Sequence, residues 1–215
     1  MRPAIVLFCG NPARDEQQKN LPPRFLTRLH DALLRDLRAL DAEVFVARHD
    51  EREFRVGEAV WPVGTLGTQI ETALRFCSDR GHQRVVIVAG DAAIDPHVVQ
   101  RALDARDAVM AESGDGGFAL AGFSAPPDID WNAVVADRAH AAQSLREGMP
   151  VEELPRIDDI DTLEDARRVV RIATSPLLRL IATLLNTQQL NNQTTQQPGH
   201  SVTPQIPSRA PPALV

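Results

Sequence analysis

Tyrosine is absent from this 215-residue chain, and cysteine occurs only twice, at Cys9 and Cys77, without CxxC spacing. Thiols so placed, each in an apolar segment, exclude a disulfide framework and cysteine-ligated zinc and predict buried thiols in a reducing compartment. Basic residues are outnumbered: 23 Lys and Arg against 29 Asp and Glu give a formal charge of −6. That balance excludes a general nucleic-acid binder, whose affinity needs a basic face. No apolar run approaches the ~20 residues of a membrane span. The opening MRPAIVLFCGNP is apolar too briefly for a secretory signal, so the expectation is a cytoplasmic protein. Also missing are the GxGxxG fingerprint of dinucleotide folds and the GxxxxGK phosphate loop, the two commonest signatures of a nucleotide-binding α/β sheet. HExxH and GxSxG do not occur either, so the six histidines suggest neither a zinc site nor a Ser-His-Asp arrangement.

What is present is a run of alternating apolar segments. Val85 to Ala89 is apolar at every position, the pattern of a strand buried on both faces of a sheet. Gly90 and Asp91 follow it, and Asp95-Pro96 then supplies a carboxylate N-cap and a proline at the first helical position. Asp91 therefore falls just beyond the carboxyl end of a central strand, where open α/β sheets bind ligands; it is a metal candidate, or alternatively the cap of a turn. Ala4 to Cys9 reads as the first strand, Gly10-Asn11-Pro12 as a turn, and 13–20 as a polar loop. An amphipathic helix carries Phe25, Leu26, Leu29, Leu33, Leu37 and Leu40, followed by a short strand at 44–47. The stretch 48–61 reads as loop with at most an edge strand. A helix after Gly64-Thr65-Leu66-Gly67 ends at Arg80-Gly81.

Strand-like segments at 108–112 and 118–123 flank Ser113-Gly114-Asp115-Gly116-Gly117, where Asp115-Gly116 is either a hairpin turn or part of a site. One helix is expected over 132–147, a short strand at 151–154, and a helix begun by Thr162 with Asp165 as its capping partner. Asp158-Asp159-Ile160-Asp161 precedes that helix. The first 173 residues form one α/β domain, a three-layer α/β/α sandwich around a mostly parallel sheet. An added helix covers 174–186, with Leu177 to Leu185 as a docking or dimer face. From 187 the Gln, Asn, Pro and Ser content predicts a disordered tail.

The order GNP, LGTQIETAL, VVIVAGDAAIDP, ESGDGGFALAGF, DWNAVV and LPRIDDIDTLEDA resembles a bacterial family of glycosyltransferase-A-like proteins. These are nucleotide-diphospho-sugar transferase relatives, some associated with arsenosugar biosynthesis and similar in outline to small nucleotidylyltransferases. The resemblance implies a metal-dependent transferase acting on a nucleotide-activated sugar, with a nucleotidylyltransferase variant or a non-catalytic binding relative as alternatives. It implies Mg²⁺ or Mn²⁺ on Asp91 and Asp159, with Asp91, Asp115 and Asp161 catalytic. Gly10, Asn11, Pro12, Lys19 and Gly67 would lie on the nucleotide side, and Gly116, Gly117, Phe118 and Trp131 on the sugar or acceptor side. The chain departs from the family in three places. The basic Lys-Thr-Arg-Leu motif is replaced by ARDEQQKN, leaving Arg14 and Lys19 as clamp remnants or as solvated loop charges. Ala93 stands where the acidic motif has proline, and Phe118 where tyrosine is usual.

Overall fold

The computed structural model describes residues 2–19, 21, 24–50 and 52–172, with backbone alone for 169–172. The helix and dimer face expected within 174–186, and the tail beyond, lie outside these residues. Among the described residues no helix is long and apolar enough to cross a membrane.

Among the described residues eight strands form one sheet: β1 (Ala4–Cys9), β2 (Glu43–His49), β3 (Glu53–Val56), β4 (Ala59–Pro62), β5 (Val85–Ala89), β6 (Val109–Glu112), β7 (Phe118–Phe123) and β8 (Glu152–Glu153). Their spatial order is β4-β3-β2-β1-β5-β7-β6-β8. The helices are α1 (Pro12–Gln18), α2 (Phe25–Arg38), α3 (Leu66–Asp79), α4 (Pro96–Asp104), α5 (Trp131–Val134), α6 (Ala141–Gly148) and α7 (Leu163–Ile172), with a 3-10 turn at Arg138–His140.

The all-apolar strands are central because both of their faces are covered. In β5, Val86 and Val88 join a core built with α2, α4 and Ala166 of α7, while Val85 and Ile87 join a second core with α3, α5 and α6. β1 divides the same way, Ile5 and Leu7 to the first core and Ala4 and Val6 to the second. This is the period-two alternation of a strand applied to two apolar environments. β1 pairs in parallel with both β2 and β5, so three strand ends point the same way.

The expectation of a mostly parallel sheet holds at this centre and is corrected elsewhere. β7 runs antiparallel to both β5 and β6, and β3 and β4 add antiparallel strands at the far edge. The stretch 48–61, expected as loop with at most an edge strand, holds an edge hairpin turning at Gly57, whose φ of 58° suits glycine. Phe54 is buried by stacking near Phe8 and Trp61. The polar spacing of Arg52, Glu53 and Arg55 hid this strand because only one of its faces is covered.

Two further segments differ from expectation. Residues 13–20, read as loop, lie mostly in α1: Asn11 is its N-cap, accepting from Arg14 N at 3.3 Å, and Pro12 takes the first helical position. The Gly-Asn-Pro turn was the start of a polar helix, which apolar periodicity could not reveal. Glu16 is the one buried residue of α1, and its carboxylate accepts from Arg24 N and Leu26 N, each at 2.8 Å. It thereby supplies the cap that α2 lacks, since Arg24 is left-handed and offers no side-chain cap. The single helix expected over 132–147 is broken: α5, capped by Asp130, ends at Val134, Asp137 caps a separate 3-10 turn, and α6 starts only at Ala141.

Gly67, expected on the nucleotide side, is buried in α3 against α5: a Cβ there would lie 2.6 Å from backbone atoms of Trp131 and Asn132. Alanine would gain at most about 1 kcal/mol of helix propensity over glycine, while overpacking against backbone costs about 1–3 kcal/mol. Gly67→Ala is expected to lower stability by about 1–2 kcal/mol, read as a lower urea midpoint with an unchanged slope.

Candidate active site

A cavity of about 510 Å³ opens at the carboxyl ends of β1 and β5. Asp91, Asp115, Asp159 and Asp161 all line it, together with Gly10, Lys19, Gly117 and Phe118. Arg14, Ser113 and Arg138 also contribute to the wall.

Backbone pairing brings the acids together. Asp91 directly follows β5, and its carbonyl accepts from Ile160 N at 2.8 Å. Ala92 forms an isolated bridge with Asp159, and Ser113, just past β6, bridges Ile157. The segment 157–161 is therefore laid across the ends of two strands, with Asp159 and Asp161 on the cavity side. Asp115 is fixed within its own turn, accepting from Gly117 N at 2.9 Å and from the Ser113 hydroxyl. The hairpin reading and the site reading of Asp115-Gly116 hold together, since one carboxylate shapes the turn and faces the cavity. Arg156 closes the turn from outside through Gly114 O at 2.6 Å.

Lys19 is the cation among these acids. Its ammonium lies 2.6 Å from Asp91 Oδ2 and 2.6 Å from Asp161 Oδ1, with the Ile160 carbonyl at 3.5 Å. The side chain is 21% exposed, so the reading of Lys19 as a solvated loop charge is corrected: it is the site's internal counter-ion. Burial works to lower its pKa, but Asp91 and Asp161 outweigh it and hold the group above the ordinary lysine value.

Among the described residues Asp159 has no such partner. Its Oδ1 is buried without a hydrogen bond. Burial, then the negative charge of Asp91, pushes its carboxyl up to about 7, and the nearby Ser113 hydroxyl opposes this only in part. Asp159 thus sits where a carboxyl exchanges its proton near neutrality. Asp115 moves the other way: burial raises it, but the bonds from Ser113 and Gly117 prevail and hold it below the usual carboxylate range. Cys9 lines the cavity, yet burial pushes its thiol up to about 12, so it offers no thiolate.

The other expected residues lie apart from the cavity wall. Asn11 is the α1 cap and Pro12 the first residue of that helix. Gly116 has φ 90°, and a Cβ on it would lie 2.0 Å from the carbonyl oxygen of Ala139, so it seats the turn against the 3-10 segment. Trp131 is 2% exposed and packs edge-on against Phe118 and Phe123, making it core support beneath Phe118. Asp95 is the N-cap of α4 and accepts from His97 N at 2.9 Å. Ser113 and Arg138 are site residues that the sequence reading did not name. Serine before Gly-Asp was a visible signal, whereas Arg138 reaches the site only because the 132–147 helix breaks.

The carboxylates are chemically suited to Mg²⁺ or Mn²⁺, and the partnerless Asp159 oxygen suits a hard cation. Their arrangement does not fit one. Among the described residues no three His, Cys, Asp or Glu side chains are disposed to hold a metal, and the Lys19 ammonium stands between Asp91 and Asp161.

The architecture is shared with a protein from Desulfovibrio desulfuricans G20 provisionally described as a nucleotide-diphospho-sugar transferase. The TM-score is 0.71 at 21% identity, covering 89% of this chain and 97% of that one. The chain thus shares the fold of that protein, whose description is in keeping with the resemblance read from the motifs. HddC from Yersinia pseudotuberculosis aligns at 12% identity with a TM-score of 0.35, over 79% of this chain and 98% of that one. The inositol-1-phosphate CTP transferase from T. maritima aligns at 11% identity with a TM-score of 0.34, over 85% and 95%. Neither score is high enough to bear on the argument. No family model and no curated protein matches the sequence.

The raised Asp159 pKa fixes a sign for stability. Between its unfolded value near 4 and about 7 the folded chain holds the extra proton, so this group's contribution falls as pH rises through that window and is flat above it. Asp159→Asn is expected to remove that slope and to exceed wild type in stability at pH 8 by on the order of 2 kcal/mol. Urea unfolding at pH 4.5 and 8 reads both; equal slopes for the two proteins would refute the assignment.

Proposed function

We propose that the chain is a transferase acting on a nucleotide-activated sugar. The observation carrying this reading is the convergence of Asp91, Asp115, Asp159 and Asp161, from three separate segments, on one cavity at the carboxyl rim of the sheet. That rim is where open α/β folds bind nucleotides, and the cavity is of the size class that holds small ligands.

In this reading the diphosphate lies toward Gly10, Arg14 and Lys19, and the sugar toward Gly117 and Phe118. Asp115, kept ionised by its turn, accepts hydrogen bonds from sugar hydroxyls. The acceptor oxygen attacks the anomeric carbon, the bond to the diphosphate breaks, and the acceptor proton passes to Asp159, whose pKa near 7 suits the task. The cations of α1 face the charge that develops on the leaving diphosphate. Mg²⁺ or Mn²⁺, implied by the resemblance, would be held by Asp91 and Asp159 and would compete with Lys19 for Asp91, and no step here runs through it. The two Lys19 ion pairs favour a second reading, a scaffold that binds a nucleotide without turnover.

A panel of UDP-, GDP- and CDP-sugars separates the readings. A ligand at a hundred times its Kd stabilises the fold by about 2.7 kcal/mol, visible as a raised Tm. Catalysis is expected to appear as released nucleoside diphosphate, lowered by about a hundredfold or more in Asp159→Asn. A Tm shift without release supports the binding scaffold. No shift with any nucleotide or nucleotide sugar defeats both.

A further inference from the structure

Lys19 is held in place from both directions. It caps α1, its backbone N–H donating to the Asp15 carbonyl at 2.9 Å, and α1 is itself pinned because the Glu16 carboxylate caps α2. Its stem crosses into the cavity, and the ammonium meets Asp91 Oδ2, Asp161 Oδ1 and the Ile160 carbonyl, which together match the three donors of an ammonium. These oxygens come from segments about 70 residues apart in sequence. A divalent ion bridging Asp91 and Asp161 would need the same point in space and several more oxygens around it.

We propose that Lys19 is the resident cation of this site: it fills the position a divalent ion would take between Asp91 and Asp161 and keeps such an ion out. The carboxylates then have their counter-charge built into the chain. Resting on the transferase or binding reading above, it follows that a phosphate-bearing ligand enters this cavity without a metal ion. The exclusion of metal itself does not depend on that reading.

The test titrates MnCl₂ into the ligand-free full chain and follows free Mn²⁺ by electron paramagnetic resonance. Lys19→Met keeps the apolar stem and removes the charge. Wild type is expected to bind Mn²⁺ at least tenfold more weakly than Lys19→Met, and Lys19→Met combined with Asp161→Asn is expected to lose that gain. Equal affinities in wild type and Lys19→Met, whether tight or immeasurably weak, overturn the proposal. Should Lys19→Met fail to fold by circular dichroism, the wild type decides alone: micromolar Mn²⁺ binding abolished by Asp91→Asn overturns it, and weaker binding upholds it. A nucleotide-sugar Tm shift that is equal in EDTA and in Mn²⁺ supports the metal-independent entry, and one that requires Mn²⁺ refutes it. Absence of any nucleotide effect counts against the proposed function, while the Mn²⁺ titration still decides the role of Lys19.

Discussion

Four carboxylates facing one half-buried cavity repel one another, and the geometry of this end of the molecule follows from how that repulsion is relieved. Two remedies are at work. A cation, Lys19, is driven between Asp91 and Asp161 at 2.6 Å from each. A proton is retained on Asp159, whose pKa rises to about 7 through burial and the nearby charge of Asp91. Asp115 needs neither, because its turn supplies donors from Ser113 and Gly117. The same crowding that costs stability creates an acid-base group near neutrality and a fixed positive charge in the same cavity.

This arrangement needs a rigid frame. β1 and β5, apolar at nearly every position and covered on both faces, set the rim. The late acidic segment has little regular structure of its own and is positioned by backbone bonds with Asp91, Ala93 and Glu112. On the opposite wall, α1 is short and polar and could not stand alone. It is tied down by Glu16, which satisfies the orphan N–H groups of α2. A carboxylate serving as another helix's cap thus determines where Lys19 reaches.

The legible parts of the chain were those with local causes. The β5 run, the Asp95-Pro96 start of α4, the amphipathic face of α2 and the hairpin around Asp115-Gly116 each follow from patterns within a dozen residues. Asp91 was identifiable because a carboxylate after a buried strand has a defined place in this class of fold. Residues 13–20 read as loop because α1 has no apolar stripe, and β3-β4 read as no more than an edge strand because charged residues alternate with the buried ones. The break within 132–147 falls at Asp137, a cap that apolar periodicity does not register. Gly67, Gly116 and Trp131, expected on the nucleotide or sugar side, instead serve packing: Gly67 lets α3 meet α5, Gly116 seats its turn, and Trp131 is buried core.

By itself the sequence determined the apolar strands, the helix faces and the supply of acidic groups at strand ends, since these rest on periodicity, capping and turn chemistry between near neighbours. Only the tertiary structure decided that Asp91, Asp115, Asp159 and Asp161 share one cavity, and that Lys19 lies among them as an ion-paired cation. The physical reason is range. A charge acts on whatever folding brings within a few ångströms, and Lys19 and Asp161 are separated by more than half of the chain.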